Sequence, residues 1–360
     1  MPTVFKYDKG IRFYNTTNDV RFIADPTTTK AAQDCNAAFI THAHTDHSIA
    51  FPNANIKVYS TKIASDLYEK LTSKEVKNTH FTDYNKKINI ENIDVEFFPA
   101  GHLLGAAQIM FYFDDLNILY TGDLSTDDML TVPKASVPDE QTDILIIEST
   151  YGLEEFVFDS REKIKTSILK WVAESLQKDR IPVINIGHLG PAQEIIAYLN
   201  SMLSVDIHCD FRTSEINRVY EREGVELSWI NFDSLNDTEF KTENGVVLLP
   251  RATKELQLFL KKKKTSRAII TGQAIRFLYS SFEHAFPFSM HSNCAELLEF
   301  IKKVNPKKVY TLYAYESKFA KIVEKKLKIK AQKLEAFTKP IELDKKKKTL
   351  DEFKEFKKGD

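Results

Sequence analysis

Short apolar runs alternate with amphipathic stretches along the second half of the chain. Apolar runs bounded by polar residues are typical of strands buried within a sheet. They occur at 143–147, 183–186, 205–208, 246–249, 268–270 and 309–312. Apolar residues recur with helical spacing between them, at 164–176, 191–203, 214–222, 254–260, 295–304 and 319–327. This alternation predicts βαβ units, a parallel sheet and the α/β fold class.

The first part of the chain has a different pattern, which predicts more strands than helices. Strands are predicted by apolar runs at 38–40, 58–60 and 95–98, and by a hairpin at 109–120. A single helical pattern, at 63–71, interrupts them. With 360 residues, the chain is long enough for two domains or for one layered domain that carries an insertion.

Composition is that of an ordinary soluble globular protein. Hydrophobic residues make up 42% and charged residues 28%, and the formal net charge is −1. No global basic field therefore indicates nucleic acid, although a local basic face is still compatible with these values. The N-terminus lacks the pattern of a signal peptide, and no apolar run approaches the length of a membrane span, so we expect a cytoplasmic protein without a membrane partner. Cys35, Cys209 and Cys294 are scattered, which predicts free thiols.

The residues directly after the predicted strand at 38–40 are rich in metal-ligand types. Three imidazoles and one carboxylate fall within six positions, at His42, His44, Asp46 and His47. Imidazole and carboxylate bind zinc and similar divalent metals, which generate hydroxide from water at neutral pH. A strand end is also a rigid platform for such ligands. The cluster therefore predicts a metal site rather than a surface loop that is His-rich by chance.

Two later residues are candidate ligands of the same kind. His102 follows the predicted strand at 95–98, and Asp123 follows the predicted hairpin. Each lies at a strand end beside a glycine, where the backbone can approach a metal closely. Taken singly, each would more often be an ordinary loop residue. Their order after the first cluster, as HxHxDH, then GH, then TGD, makes them candidates.

This order of motifs resembles the metallo-β-lactamase superfamily, whose fold is a four-layer αββα sandwich with its metal site at one edge of the two sheets. The resemblance implies one zinc ion held by three imidazoles, at His42, His44 and His102. It implies a second ion held by Asp46 and His47, with Asp123 bridging the two. Asp25 matches the first motif of the superfamily, whose carboxylate orients the metal ligands without binding the metal.

Three further segments resemble the β-CASP group of that superfamily, whose members cut nucleic acids. They are an acidic motif at 148–152, a Gly-x-Ala-Gln-Glu helix start at 190–194 and a Phe-Ser-x-His segment at 288–292. The group carries an α/β cap domain inserted into the sandwich, which the resemblance places at 153–266. The catalytic domain would then comprise residues 1–152 and 267–335. We expect the charged tail at 336–360 to be flexible.

A hydrolase also needs a proton donor, because the leaving oxygen of a phosphodiester must be protonated. A His that is oriented by a carboxylate suits this task at neutral pH, and His291 with Glu148 fits it. The alternatives are a helix-capping role for His291 and a buried polar network for Glu148. The backbone N–H groups of Ser292 and Asn293 are candidate ligands for phosphate oxygens. We expect His188 to face substrate or to be structural rather than to bind metal.

One position departs from the family pattern. RNA-processing β-CASP members carry a His-Gly pair that supplies a ligand to the second metal, whereas this chain has Tyr313 there. A neutral phenol is a poor zinc ligand near pH 7. The departure therefore predicts one tight zinc site and one looser site, which Mn²⁺ or Mg²⁺ can also occupy. The Artemis and cross-link-repair nucleases, which act on DNA, also lack this His.

The resemblance thus favours a metal-dependent phosphodiesterase that hydrolyses DNA, as a 5′-end-directed exonuclease in repair or end processing. Asp46, as a ligand or as the residue that positions the attacking water, is expected to be essential for cleavage. The alternative is an RNA-processing nuclease of the ribonuclease J or cleavage-and-polyadenylation type, because the segments at 101–107 and 148–152 resemble that branch closely. A small-molecule hydrolase would not need the insertion, and an inactive scaffold would have lost ligands.

The tail carries a candidate partner motif. Residues 347–353 resemble the sliding-clamp (PCNA) peptide of archaeal replication and repair proteins, with matching residues at Thr349, Leu350 and Phe353. Lys347 and Lys354 replace a glutamine and an aromatic residue of that peptide. A charged tail with incidental Leu and Phe residues is therefore the competing interpretation.

Overall fold

The computed structural model describes residues 3–114, 116–232, 245–250 and 263–335. Within these ranges lie six α-helices, which we number in chain order. They are α1 (Lys62–Thr72), α2 (Arg161–Gln177), α3 (Pro191–Met202), α4 (Phe211–Arg222), α5 (Cys294–Val304) and α6 (Glu316–Leu327). None of the helices in this part of the chain has the length and apolar composition that a membrane crossing needs. The helix predicted at 254–260 and the clamp-binding residues predicted at Thr349, Leu350 and Phe353 lie outside the described residues.

The first sheet contains six strands in sequence order. They are β1 (Thr3–Tyr7), β2 (Ile11–Asn15), β3 (Val20–Ala24), β4 (Ala37–Phe39), β5 (Lys57–Ser60) and β6 (Thr79–Phe81). Strands β1 to β3 form an antiparallel meander, whereas β3 to β6 run parallel. The carboxyl ends of β3, β4 and β5 therefore meet at one edge of the sheet.

The second sheet has seven strands and faces the first. In chain order they are β7 (Ile88–Ile90), β8 (Ile93–Pro99), β9 (Ala107–Tyr112), β10 (Asn117–Tyr120), β11 (Ile144–Glu148), β18 (Lys308–Leu312) and β19 (Lys330–Lys333). Their order across the sheet is β19-β18-β11-β10-β9-β8-β7. Strands β10, β11, β18 and β19 are parallel, and the β8-β9-β10 meander is antiparallel. Strands β8, β10, β11 and β18 thus end at the same edge.

The two sheets bury an aromatic core between them, and helices cover their outer faces. Phe13, Phe22 and Phe39 of the first sheet contact Phe111 of the second, with ring centroids 4.4, 6.2 and 5.0 Å apart. Helix α1 packs its apolar face on the outside of the first sheet, and α5 and α6 pack on the outside of the second. This is an αββα sandwich, as the resemblance to the metallo-β-lactamase superfamily implies.

A third sheet, formed by strands that lie between β11 and β18 in the chain, is parallel throughout. Its strands are β12 (Ile181–Asn185), β13 (Asp206–Cys209), β14 (Ile230–Asn231), β15 (Gly245–Leu249), β16 (Thr265–Ile270) and β17 (His284–Phe286). They lie in the order β14-β13-β15-β12-β16-β17. Helices α2 and α3 pack on this sheet, whereas α4 packs against α1 and joins the core outside the first sheet.

The predicted boundary of the insertion at 266 falls inside a strand. Strand β16 pairs with β12 from Thr265 onward, and β17 extends the same sheet to Phe286. The sheet of the cap therefore reaches beyond the predicted start of the second catalytic segment at 267. Strands β16 and β17 join this sheet by parallel pairing, with β12 and with each other. The local sequence of the two strands does not show which sheet they pair with.

Candidate metal centre and catalytic site

The candidate ligands meet at the edge where strands of both sheets end. The segments that follow β4, β8 and β10 carry His42, His102 and Asp123 to this edge. The turn before His102 needs a glycine, because Gly101 has a φ of 73° and a Cβ atom there would overlap the carbonyl oxygen of Ser125. Local backbone shape therefore helps to bring residues from separate strands into one cluster.

Four ligand-type atoms converge in this cluster. Nδ1 of His44 lies 3.2 Å from Nε2 of His42 and 3.1 Å from Nε2 of His102. Oδ2 of Asp123 lies 3.4 Å from Nε2 of His42 and 3.5 Å from Nε2 of His102. Ligand atoms of a tetrahedral zinc ion, at about 2.0–2.1 Å from the metal, are about 3.3–3.4 Å apart. The donor set and its spacing therefore fit a zinc-like ion.

Asp25 orients two of the imidazoles from behind. The hydroxyl of Thr41 donates to Oδ2 of Asp25 at 2.6 Å, so that Oγ1 of Thr41 accepts from Nδ1 of His42 at 3.0 Å. The same carboxylate lies 2.8 Å from Nδ1 of His47 and accepts from the hydroxyl of Tyr120 at 2.7 Å. These bonds leave Nε2 of His42 and of His47 facing the centre.

The other two imidazoles are oriented by backbone from the β-CASP-like segments. Nδ1 of His102 donates to the carbonyl oxygen of Met290 at 3.2 Å, which leaves Nε2 free for a metal. The ring of His44 forms a hydrogen bond with the backbone of Leu189. Leu189 directly precedes the 190–194 segment and Met290 lies within the 288–292 segment, so both contacts tie the cluster to the segments that resemble β-CASP motifs.

Burial keeps these imidazoles neutral in the metal-free protein. Desolvation, together with the neighbouring imidazoles, lowers the pKa of His42 and His102 well below the usual value and that of His44 to about 4. Burial also raises the pKa of Asp123 to about 6. Three neutral rings with inward lone pairs are ready to accept a cation, and a cation would favour the charged form of Asp123.

His291 and Glu148 form a pair beside this cluster. Nδ1 of His291 lies 2.9 and 3.1 Å from the two carboxylate oxygens of Glu148, which is fully buried and also accepts from the backbone N–H of Leu124 at 2.7 Å. Nε2 of His291 points to Oδ2 of Asp123 at 3.8 Å. Burial opposes protonation, but the carboxylates of Glu148 and Asp123 outweigh it and raise the pKa of His291 to about 9. A protonated imidazole at this place can donate a proton towards the cluster.

A cleft of about 260 Å³ opens onto these residues. The sandwich contributes His44 and His102 to its lining, and the segments around the third sheet contribute Gly190, Thr271 and Met290. The candidate metal cluster therefore lies at the floor of a cleft between the sandwich and the cap sheet.

Comparison with known proteins finds several relatives of this chain, although no family model matches it. The chain is 27% identical over 296 residues to a probable DNA ligase from Opitutus terrae, a match that covers 80% of this chain but 28% of that protein. It is 26% identical to the probable RNase MJ4 of Methanocaldococcus jannaschii, covering 78% of this chain and 82% of that one. It is 24% identical to the DNA cross-link repair protein SNM1 of Arabidopsis thaliana, covering 82% and 65%.

The relatives of this chain include nucleases of the β-CASP group of the metallo-β-lactamase superfamily. A solved structure supports the fold: the chain matches a protein of unknown function from Enterococcus faecalis with a TM-score of 0.64, over 88% of this chain and 95% of that one, at 14% identity. The chain spans less than two thirds of the length of the ligase-named relative and of the SNM1 relative.

The second predicted metal site is less compact than the first. Oδ1 of Asp123 lies 3.6 Å from Nε2 of His47, so Asp123 has one oxygen towards each site. Oδ2 of Asp46 lies 3.9 Å from Nε2 of His47, and the side chain of Asp46 is 82% exposed. Within the described ranges, neither of the two compact groups of metal-ligand atoms includes Asp46 or His47.

Tyr313 lies against this second site. Its ring centroid is 5.4 Å from that of His47, and its hydroxyl lies 3.0 Å from that of Tyr120. Burial raises the pKa of Tyr313 well above the usual value, so it presents a neutral phenol. Burial opposes a charge on His47, but Asp123 and Asp25 outweigh it and raise the pKa of His47 to about 10. A second metal must therefore displace a proton from His47 without gaining a ligand from Tyr313.

Replacing Tyr313 with His is expected to tighten the second metal by about tenfold or more. The backbone there has a φ of 62°, a conformation that His tolerates better than most residues. Zinc titration followed by native mass spectrometry measures both binding steps. Tyr313→Phe, as the control, should keep the weak second step. Two equally tight zinc ions in the unaltered protein would contradict the predicted asymmetry.

The predicted phosphate-binding role of two backbone amides is wrong in this geometry. The N–H of Ser292 donates to the carbonyl oxygen of Leu124 at 2.7 Å, and the N–H of Asn293 donates to Glu296 at 3.0 Å. Asn293 instead caps α5, since its side chain accepts from the N–H groups of Ala295 and Glu296. Both amides are already paired inside the protein, which leaves neither for a phosphate.

His188 lies in the cap beside the start of α4. Its Nδ1 is 3.0 Å from the hydroxyl of Thr213 and 3.5 Å from the carboxylate of Asp210. It belongs to neither compact group of metal-ligand atoms in the described part of the chain. The predicted role of His188, facing substrate or structural, stays a prediction.

Arg161, at the start of α2, is a site residue that the sequence does not single out. Its guanidinium donates to the carbonyl oxygens of Ser289 and His291 at 3.1 and 2.7 Å. It also pairs with Asp127 and with Glu296, the latter at 3.1 Å. Arg161 thereby fixes the backbone that carries His291. A single Arg at a helix start gives no sequence signal for this role, because all its partners are distant along the chain.

Proposed function

We propose that this chain is a metal-dependent nuclease. The observation that carries the proposal is the convergence of His42, His44, His102 and Asp123 with the Nε2 atom of His291. His44, His102 and His291 line one cleft beside this cluster. A metal ion in this cluster would polarise the phosphate and activate a water molecule. The relatives named RNase and cross-link repair protein support nucleic acid as the substrate.

The residues of the chain supply two further functions. Asp25 and Thr41 hold the ligand rings in one orientation, through the hydrogen bonds to His42 and His47. Glu148 holds the ring of His291 so that Nε2 faces the cluster, where it can protonate the leaving oxygen. The His-rich donor set favours zinc at the first site. The second site, with Asp46 and His47, would accept zinc, Mn²⁺ or Mg²⁺ more weakly.

DNA is the substrate we favour. The first relative is named a probable DNA ligase, and the match occupies 28% of its length. A segment that shares one polypeptide with a DNA ligase would meet DNA ends, which suits an exonuclease that trims 5′ ends. The SNM1 relative is named for DNA cross-link repair. Tyr313 also stands where RNA-processing members are expected to carry His.

RNA is the second candidate, because a relative named probable RNase is matched over most of its own length. The test offers single strands of identical sequence, as DNA and as RNA, each labelled at the 5′ or the 3′ end. We expect the protein to degrade DNA faster than RNA, to release 5′-terminal label first, and to lose cleavage in Asp46→Ala. Cleavage of RNA alone would establish the second candidate. No cleavage of either strand with Zn²⁺, Mn²⁺ or Mg²⁺ would refute the proposed function.

A further inference from the structure

An exposed segment with aromatic and apolar side chains lies beside the cleft. Phe277 is 52% exposed and Leu278 is fully exposed. They follow the short 3₁₀ turn Gly272–Ile275, whose first residue, together with Thr271, lines the cleft. We call Arg276, Phe277 and Leu278 the 276–278 platform.

Arg276 is held by aromatic rings rather than by a carboxylate. Its guanidinium carbon lies 5.0 Å from the ring centroid of Phe277, 5.5 Å from that of Phe156 and 5.3 Å from that of Tyr315. Within the described part of the chain, no acidic side chain forms an ion pair with Arg276. An Arg that is stacked in this way keeps its charge and its N–H donors available for an anion.

A continuous row of rings links the platform to the catalytic pair. The ring of Tyr151 lies 6.0 Å from that of His291 and 5.8 Å from that of Phe156. Phe156 in turn contacts Tyr315 at 5.2 Å, and both rings contact Arg276. Each step of this row is 5 to 6 Å, so the platform lies within a few nucleotides of a phosphate bound at the cluster.

We propose that the 276–278 platform binds a nucleotide of the substrate strand a few positions from the scissile phosphate. Phe277 stacks on the base, Leu278 covers its edge, and Arg276 pairs with the adjoining phosphate. Stacking requires an unpaired base, so the occupant is single-stranded nucleic acid, and every base has a face that can stack. This inference rests on the proposed nuclease function and specifies how that site selects its substrate.

The test combines Arg276→Ala with Phe277→Ser and uses two substrates. One is a labelled single strand, and the other is bis(p-nitrophenyl) phosphate, a phosphodiester without bases. We expect kcat/KM to fall about 10–100-fold on the strand and to stay at the parent value on the small diester. Phe277→Trp alone should keep activity on the strand.

The chain offers a matched control pair. Arg21 lies 5.3 Å from the ring of Tyr14, which is 36% exposed, at the end of β3 opposite to Asp25. Arg21→Ala with Tyr14→Ser should leave both activities unchanged. An equal fall on both substrates in the platform variant, or a fall on the strand no larger than in the control, would overturn the proposal.

A binding measurement separates this proposal from the nuclease function. A labelled phosphorothioate strand resists hydrolysis, so its affinity for the metal-loaded protein can be measured by fluorescence anisotropy. Binding that weakens about tenfold or more in the platform variant supports the platform even if the parent protein hydrolyses neither substrate. Equal affinities in parent and variant would overturn it even if the parent protein is an active nuclease.

Discussion

Replacing His291 with alanine is expected to slow cleavage of a nucleic acid strand by about 10²–10⁴-fold. Nδ1 of His291 is held by Glu148, so Nε2 is the atom that faces the cluster, and the raised pKa keeps a proton on the ring at neutral pH. Without this proton, the oxygen that leaves the phosphate departs as an alkoxide. Single-turnover kinetics with excess protein measures the chemical step directly.

His291 could instead be a metal ligand, because its ligand atom lies close to those of Asp123 and Glu148. A substrate with a different leaving group distinguishes this role from that of a proton donor. A thymidine phosphodiester that releases p-nitrophenolate needs no proton. If His291 is the proton donor, His291→Ala should cleave this compound at nearly the parent rate. On the nucleic acid strand, Glu148→Gln should slow cleavage less than His291→Ala does. An equal loss on both substrates would exclude the proton-donor role.

Replacing Asp123 with asparagine is expected to reduce cleavage by on the order of 10³-fold or more and to weaken the bound metal. Asp123 contributes the anionic atom of the first cluster and faces His47 with its other oxygen. Charge stabilisation by a metal amounts to several kcal/mol, which corresponds to this loss. Metal content after dialysis, measured together with the cleavage rate, tests both effects.

The metal-free fold should survive this change. Burial raises the pKa of Asp123 to about 6, and the attraction of its carboxylate to His47 and His291 opposes this cost. A neutral amide of the same size removes both the cost and the attraction, so the Tm of metal-free Asp123→Asn should stay close to that of the metal-free parent. Asp128→Asn is the control, because Asp128 lies on the same loop in an exposed pair with Lys134. A fall in Tm would mean that Asp123 acts through folding.

The sequence predicts the residues of the first cluster because each follows a strand that it also predicts. His42 and His44 lie in one short motif, and His102 and Asp123 follow apolar strands that end at the same edge. Strands that run in the same direction within a sheet end at the same edge, so the residues that follow these strands lie close together. The pairing of His291 with Glu148 was reachable only through the resemblance, since 143 positions separate the two residues.

Features that depend on tertiary contact were not predictable in this way. Strand β19, with the sequence KAQK, has no apolar pattern, because it is an edge strand held by pairing with β18. The amides of Ser292 and Asn293 resemble a free helix start in the sequence, but Leu124 and Glu296 occupy them. Arg161 gives no local signal, because its role depends on loops that only the fold brings to it.

Removal and restoration of the metal tests the central claim most directly. The purified protein is treated with a chelator and dialysed, and zinc is then returned stepwise while metal content and cleavage of a labelled strand are followed. We predict no cleavage by the metal-free protein, recovery that begins with the first tightly held zinc, and failure of His102→Ala to retain that ion. Cleavage by the metal-free protein, or full metal retention by His102→Ala, would contradict the assignment of the cluster as the metal centre of a nuclease.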